Sequence, residues 1–126
     1  MNTWLSWISV AAGGAGGACA RYGLGLLVSG HVTRLPLGTL LVNLIGCFLA
    51  GVLTSWYVHR GAVPGPEYLL LMAGFLGGFT TFSAFSVDTL RLVEAGHGAL
   101  ALGNVMLNLV GSLLAVTLGA WVARLM

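Results

Sequence analysis

Charge is the scarce element of this chain, and the places where it is missing decide what the chain can fold into. No Arg, Lys, Asp or Glu interrupts residues 35–59, 68–87 or 95–123. A helix needs about 20 predominantly apolar residues to cross a hydrocarbon core, and each interval supplies them. A fourth apolar stretch runs from Trp4 to about Ser29, with Arg21 inside it. Only 6% of the residues are charged and 58% are hydrophobic, whereas a soluble domain carries roughly 25% charged residues. Such a chain cannot clothe a water-facing surface, and lipid is the solvent it suits. Twenty glycines fit that setting, because small residues let helices approach closely in a bilayer. Five scattered Arg and no Lys form no basic stripe, which excludes nucleic acid as a partner.

The expected fold is therefore all-α and integral to the membrane: one domain over 1–126, with four transmembrane helices at about 4–29, 37–59, 67–95 and 99–124. The connections are short and carry turn chemistry, with Gly30 and Pro36 in the first, Gly61, Pro64, Gly65 and Pro66 in the second, and Gly96 and Gly98 in the third. They leave no room for a soluble domain. A signal peptide cleaved near Ala18, Cys19 and Ala20 competes for the N-terminus, but the basic n-region of such a peptide is missing. Cys19 and Cys47 fall in separate spans, outside any spaced ligand or redox motif, and read as small packing residues.

One internal echo stands out. Asn43 to Trp56 reads NLIGCFLAGVLTSW and Asn108 to Trp121 reads NLVGSLLAVTLGAW, agreeing at seven of fourteen positions. The second and fourth spans run in the same direction, so this is at most a parallel repeat. Orientation follows the Lys/Arg bias of short loops, and here Arg60 and Arg124 balance Arg34 and Arg91. An unbiased chain should insert both ways round. Two copies of opposite orientation can then pair antiparallel and supply the inverted repeat that many transporters encode in one chain.

The third span is chemically unusual, because Gly77 to Ser86 reads GGFTTFSAFS. Gly77 and Gly78 weaken a helix, and Ser or Thr side chains can satisfy the backbone groups that a break frees. A mid-span break at Gly77, Gly78, Thr80 and Thr81 is expected, the bland alternative being a glycine contact point in an intact helix. Phe75, Phe79, Phe82 and Phe85 recur at helical spacing. Such a stripe is ordinarily core packing, but the positive edges of its rings can also solvate a small anion weakly enough to release it. Asn43, Asn104 and Asn108 are either interhelical glue or amide donors facing a polar pathway, and Ser112 shares the face of Asn108.

Arg21 is costly at depth and must reach a mouth or a cavity. Asp88, Arg91 and Glu94 have the i, i+3 spacing of a solvated ion-pair ladder. His31, His59 and His97 lie in or beside loops, unclustered, and carry no metal role. Without another carboxylate inside a span, a channel is favoured over a proton-coupled carrier, and no set of nucleophile, base and orienter marks an enzyme.

These residues resemble one family over essentially the whole chain, the Fluc (CrcB) fluoride channels of bacteria. The resemblance is carried by GGAGGACARYGLG at Gly13 to Gly25, PLGTLLVNLIGCFLAG at Pro36 to Gly51, GFLGGFTTFSAFS at Gly74 to Ser86 and NVMLNLVGS at Asn104 to Ser112. It implies a dual-topology antiparallel homodimer in the bacterial inner membrane with two fluoride pores, exporting F⁻ passively from the cytoplasm. Asn43, Phe82 and Phe85 would line the fluoride pathway, Arg21 its vestibule and Ser112 a polar position along it. The backbone carbonyls of Gly77 and Thr80 from both subunits would hold a structural Na⁺ at the dimer centre. A small four-span dual-topology drug or cation exporter is the alternative of another class. That family carries a carboxylate in its first span, where this chain has Arg21. A non-transporting subunit that anchors a partner is a third reading.

Overall fold

A computed structural model describes residues 3–30 and 34–126; His31 lies outside them. The regular structure of the described residues is all helical: α1 (Thr3–Val28), α2 (Leu37–His59), α3 (residues 66–79), α4 (Phe82–Glu94) and α5 (Gly98–Arg124). The ends follow from local chemistry. Pro66 occupies the first helical position of α3, where its missing N–H costs nothing. Gly61 and Gly96, at φ 57° and 77°, take the left-handed turn that closes α2 and α4. The Ala62 N–H then reaches back to the Tyr57 carbonyl, and the His97 N–H to that of Leu92.

Among the described residues, three helices have the length and apolar composition to cross a membrane: Leu37–His59, Pro66–Glu94 taken as one run, and Gly98–Arg124. α1 is long enough, but six glycines and Arg21 dilute its hydropathy. Large apolar side chains face outward from all sides, among them Trp4, Leu27, Phe82, Leu113 and Leu114. An outer surface of that kind belongs against lipid or protein rather than water.

The helices pair in two parallel couples, each at glycine contacts. A Cβ on Gly51 would collide with the Val116 carbonyl, and one on Gly119 with that of Phe48, so α2 and α5 touch backbone to backbone. Asn43 meets Asn108 and Ser55 meets the Ala120 carbonyl, the same offset of 65 residues that separates Gly51 from Val116. The echo in the sequence is thus two parallel helices lying in register. α1 runs alongside α3 in the same manner, with Gly13 against the Leu70 carbonyl and Gly17 against that of Phe75. Gly51→Val should wedge α2 off α5 and abolish the monodisperse peak in size-exclusion chromatography. Gly98→Ala, with open space around it, should elute as the unaltered protein does. Equal yields of both variants would refute this account of the contact.

Two features of the third segment differ from the sequence reading. Residues Leu70–Leu76 are wound as a π-helix, the Gly77 N–H donating to the Met72 carbonyl five residues back. Helicity then stops after Phe79, with Thr80 (φ −79°, ψ 159°) and Thr81 (φ −154°, ψ 122°) extended before α4 begins. Of the four residues expected to interrupt the helix, Thr80 and Thr81 do so, whereas Gly77 and Gly78 are themselves helical. Gly78 packs instead against the backbone of α1, where a Cβ would come within 2.6 Å of the Gly14 carbonyl. The extended pair also splits the aromatic stripe. Phe75 and Phe79 stack at 5.8 Å on one side of it, and Phe82 and Phe85 meet edge to face at 5.2 Å on the other.

The charge ladder is likewise shorter than its spacing suggests. Arg91 lies 3.9 Å from Asp88, and no ion pair extends to Glu94 among the described residues. Asp88 is tied inward instead, its Oδ2 accepting from Thr39 Oγ1 at 2.7 Å.

Candidate functional site

Asn43 on α2 and the extended residue Thr81 form a knot. The Thr81 N–H donates to Asn43 Oδ1 at 2.8 Å, and Asn43 Nδ2 donates back to the Thr81 carbonyl at 3.1 Å and to Asn108 Oδ1 at 2.8 Å. The orientation of the amide is forced, because turning it over would face N–H to N–H and oxygen to oxygen. Thr81 Oγ1 meanwhile accepts from the Ala84 N–H at 3.1 Å and caps α4. The Asn43 side chain therefore supplies the acceptor that the Thr81 N–H gives up on leaving the helix, so the extended residue strands no donor in its apolar surrounding.

The knot diverts donors. In an uninterrupted helix the Thr81 N–H would serve the Gly77 carbonyl and the Ala84 N–H that of Thr80. Both donate elsewhere, so these two carbonyl oxygens lose their helical partners. The carbonyl of Gly78 is served by Arg21, whose Nε donates to it at 3.0 Å.

Beside the knot lies a recess of about 320 Å³, lined among others by Asn43, Thr80, Phe82, Phe85, Asn108 and Ser112. Phe85 is 6% exposed and Phe82 71% exposed, so one ring of the edge-to-face pair is anchored and the other stands open. A second recess of about 540 Å³ holds Arg21, Thr39, Asp88 and Arg91, and Thr81 lines both. Its two guanidinium groups outnumber its one carboxylate, a balance that attracts anions.

Of the residues singled out from sequence, the fold gathers Asn43, Phe82, Phe85, Ser112 and Thr80 at one recess and sets Arg21 in the other. Gly77 lines neither. It is exposed, and a Cβ there would meet nothing closer than the Met72 carbonyl at 3.8 Å. Cys19 and Cys47 are free thiols. His59 turns its Nδ1 to the Ser55 carbonyl at 2.8 Å. Sequence reasoning placed Thr81 in the break but missed its pairing with Asn43, 38 residues away. It also missed the pairing of Thr39 with Asp88, across residues 49 apart. For Asn108 there was a signal, its match to Asn43 in the echo.

Residues 8–120 match the model of one protein family, described as CrcB-like protein, Camphor Resistance (CrcB). The chain belongs to this family. Its CrcB relatives are alike over nearly their full length. It is 47% identical over 119 residues to the fluoride-specific ion channel FluC of Paracoccus denitrificans, covering 94% of each chain. Fluoride-specific ion channel FluC 2 of Symbiobacterium thermophilum is 45% identical over 91% of each chain. The FluC channel of Polynucleobacter asymbioticus is 39% identical over 94% of each. A CrcB-family chain with these apolar helices is a multi-pass membrane protein, and its relatives are named as channels rather than enzymes.

Proposed function

We propose that this chain is a fluoride channel of the bacterial inner membrane, crossing it four times and working as an antiparallel dual-topology homodimer that releases F⁻ from the cytoplasm down its gradient. The observation that carries anion conduction is the recess that Phe82, Phe85, Asn43 and Ser112 line together, with the two rings edge to face. Ring edges and neutral donors stabilise a small anion without a full positive charge that would trap it. Arg21 and Arg91 in the neighbouring recess raise the local anion concentration at its approach. Fluoride as the particular anion rests on the names of the relatives. The drug-exporter alternative has no such support. The test is efflux from liposomes followed by ion-selective electrodes: fluoride release without chloride release supports the channel, and release of neither refutes it.

Counting α1 as a span rests on its length and on its parallel packing against α3. Four spans put two Arg on each side of the membrane, and adding two or three Lys to the loop 60–66 should skew the two orientations of insertion. A reporter at the C-terminus reads this. Signal from one side only, in the unmodified protein, would refute dual topology.

The residues fit a structural cation. Gly77 and Thr80 carry the carbonyls whose helical donors are diverted, and unsatisfied carbonyls at bilayer depth cost several kcal/mol. Two such oxygens from each subunit would make four neutral ligands, a set suited to Na⁺ rather than to Mg²⁺ or Ca²⁺, which favour larger sets with carboxylates. When bound, the ion would supply a positive charge at the dimer axis. Being backbone ligands, they should tolerate Thr80→Ser. Replacing Na⁺ throughout by a bulky organic cation should weaken the dimer and its fluoride flux together, and full retention of both would refute the cation site.

A further inference from the structure

A line of hydrogen bonds leaves the knot and runs through the interior, every bond pointing the same way. The Thr81 N–H donates to Asn43 Oδ1, Asn43 Nδ2 to Asn108 Oδ1 at 2.8 Å, and Asn108 Nδ2 to Asn104 Oδ1 at 3.0 Å. Asn104 Nδ2 donates to Thr89 Oγ1 at 3.0 Å, and Thr89 Oγ1 to the Phe85 carbonyl at 2.8 Å. One end is an N–H that can only donate and the other a carbonyl that can only accept. No amide along the line can turn over without breaking a bond on each side of it. Bonds aligned head to tail also polarise and strengthen one another. Asn104 is 1% exposed and Asn108 4%, so water has little access to take the place of a lost partner.

We propose that Asn104 and Thr89 are positioning residues for the anion pathway, reaching it through this line rather than by touching the ion. They act at both ends of it. Through Asn108 they hold the Asn43 amide in the one orientation that pins Thr81, and through the Phe85 carbonyl they fix the turn of α4 that carries the buried ring. Asn43 has two hydrogens to give. The one directed to Asn108 belongs to the line, and the other, on the Thr81 carbonyl at 3.1 Å, is the one an arriving anion takes over. Thr89 and Asn104 thereby determine which hydrogen is offered. The proposal rests on the fluoride-channel reading for its functional consequence but not for the line itself.

The test uses Thr89→Val, which keeps the shape of the side chain and removes the hydroxyl, with Thr89→Ser as the rescue. Fluoride efflux from liposomes is measured alongside hydrogen–deuterium exchange of the peptide spanning 77–84 in detergent. Expected for Thr89→Val are a fall in efflux of about tenfold or more, faster exchange at Thr81 and unchanged size-exclusion elution, with Thr89→Ser close to the unaltered protein in all three. Asn104→Asp, which can still accept from Asn108 but cannot donate to Thr89, should follow Thr89→Val. Normal exchange and normal efflux in both variants would overturn the proposal, and so would a loss of efflux matched only by a loss of folded protein. An unaltered protein that releases no fluoride defeats the channel reading, while the exchange result still decides whether the line holds the break.

Discussion

Phe82→Ile should nearly stop fluoride release while leaving the fold as it is. The ring is 71% exposed, so exchanging it for another large apolar side chain removes little packing from the core of the chain. What Ile lacks is the positive ring edge. If that edge lowers the barrier to F⁻ by about 1.4 kcal/mol, its loss costs tenfold in rate, and losing the edge-to-face partner of Phe85 adds to it. Phe85→Ile should lower both flux and stability, because Phe85 is buried. The contrast between the two variants separates chemistry from packing. Normal efflux through Phe82→Ile, measured by fluoride electrode at matched protein density, would show that the rings are packing alone.

Asn43→Asp is expected to be more damaging, for a different reason. The carboxylate still accepts from the Thr81 N–H, but its second oxygen faces the Thr81 carbonyl and Asn108 Oδ1, two acceptors that the amide had been satisfying. A buried acceptor left unsatisfied costs about 1–3 kcal/mol, and more beside a charge. The Thr81 carbonyl keeps the first donor of α4, but Asn108 Oδ1 is left without one, which represents a loss of roughly tenfold or more in the population of the intact knot, and with it the flux. Asn43→Asp protein with normal efflux and normal thermal stability would contradict both the knot and the place of Asn43 on the pathway.

How much of this was legible in the sequence depended on the range of the interaction. Helix ends were readable because Pro36, Pro66, Gly61 and Gly96 act on their own neighbours. The pairing of α2 with α5 left a trace, since packing in register favours similar residues on both helices. The break was legible only to within a few residues. The sequence marks Gly77, Gly78, Thr80 and Thr81 together, yet the two glycines stay helical against α1. Thr80 and Thr81 leave the helix because Asn43, 38 residues away, offers Thr81 both an acceptor and a donor. No local signal distinguishes a Thr with such a partner from one without. The π-helical winding of Leu70–Leu76 is equally silent in the sequence, and Asp88 reads as part of a surface ladder until Thr39 is seen to hold it.

The two glycine-tight couples also set an order on biosynthesis. α1 finds its close partner in α3, and α2 finds its own in α5, so neither contact joins helices made one after the other. During translation α1 and α2 are both made before either has the backbone surface it is shaped to meet. α1 is released from that wait when the third segment emerges, but α2 remains without its partner until the last helix is made. Assembly of these contacts is therefore a late event, complete only when the last helix is made.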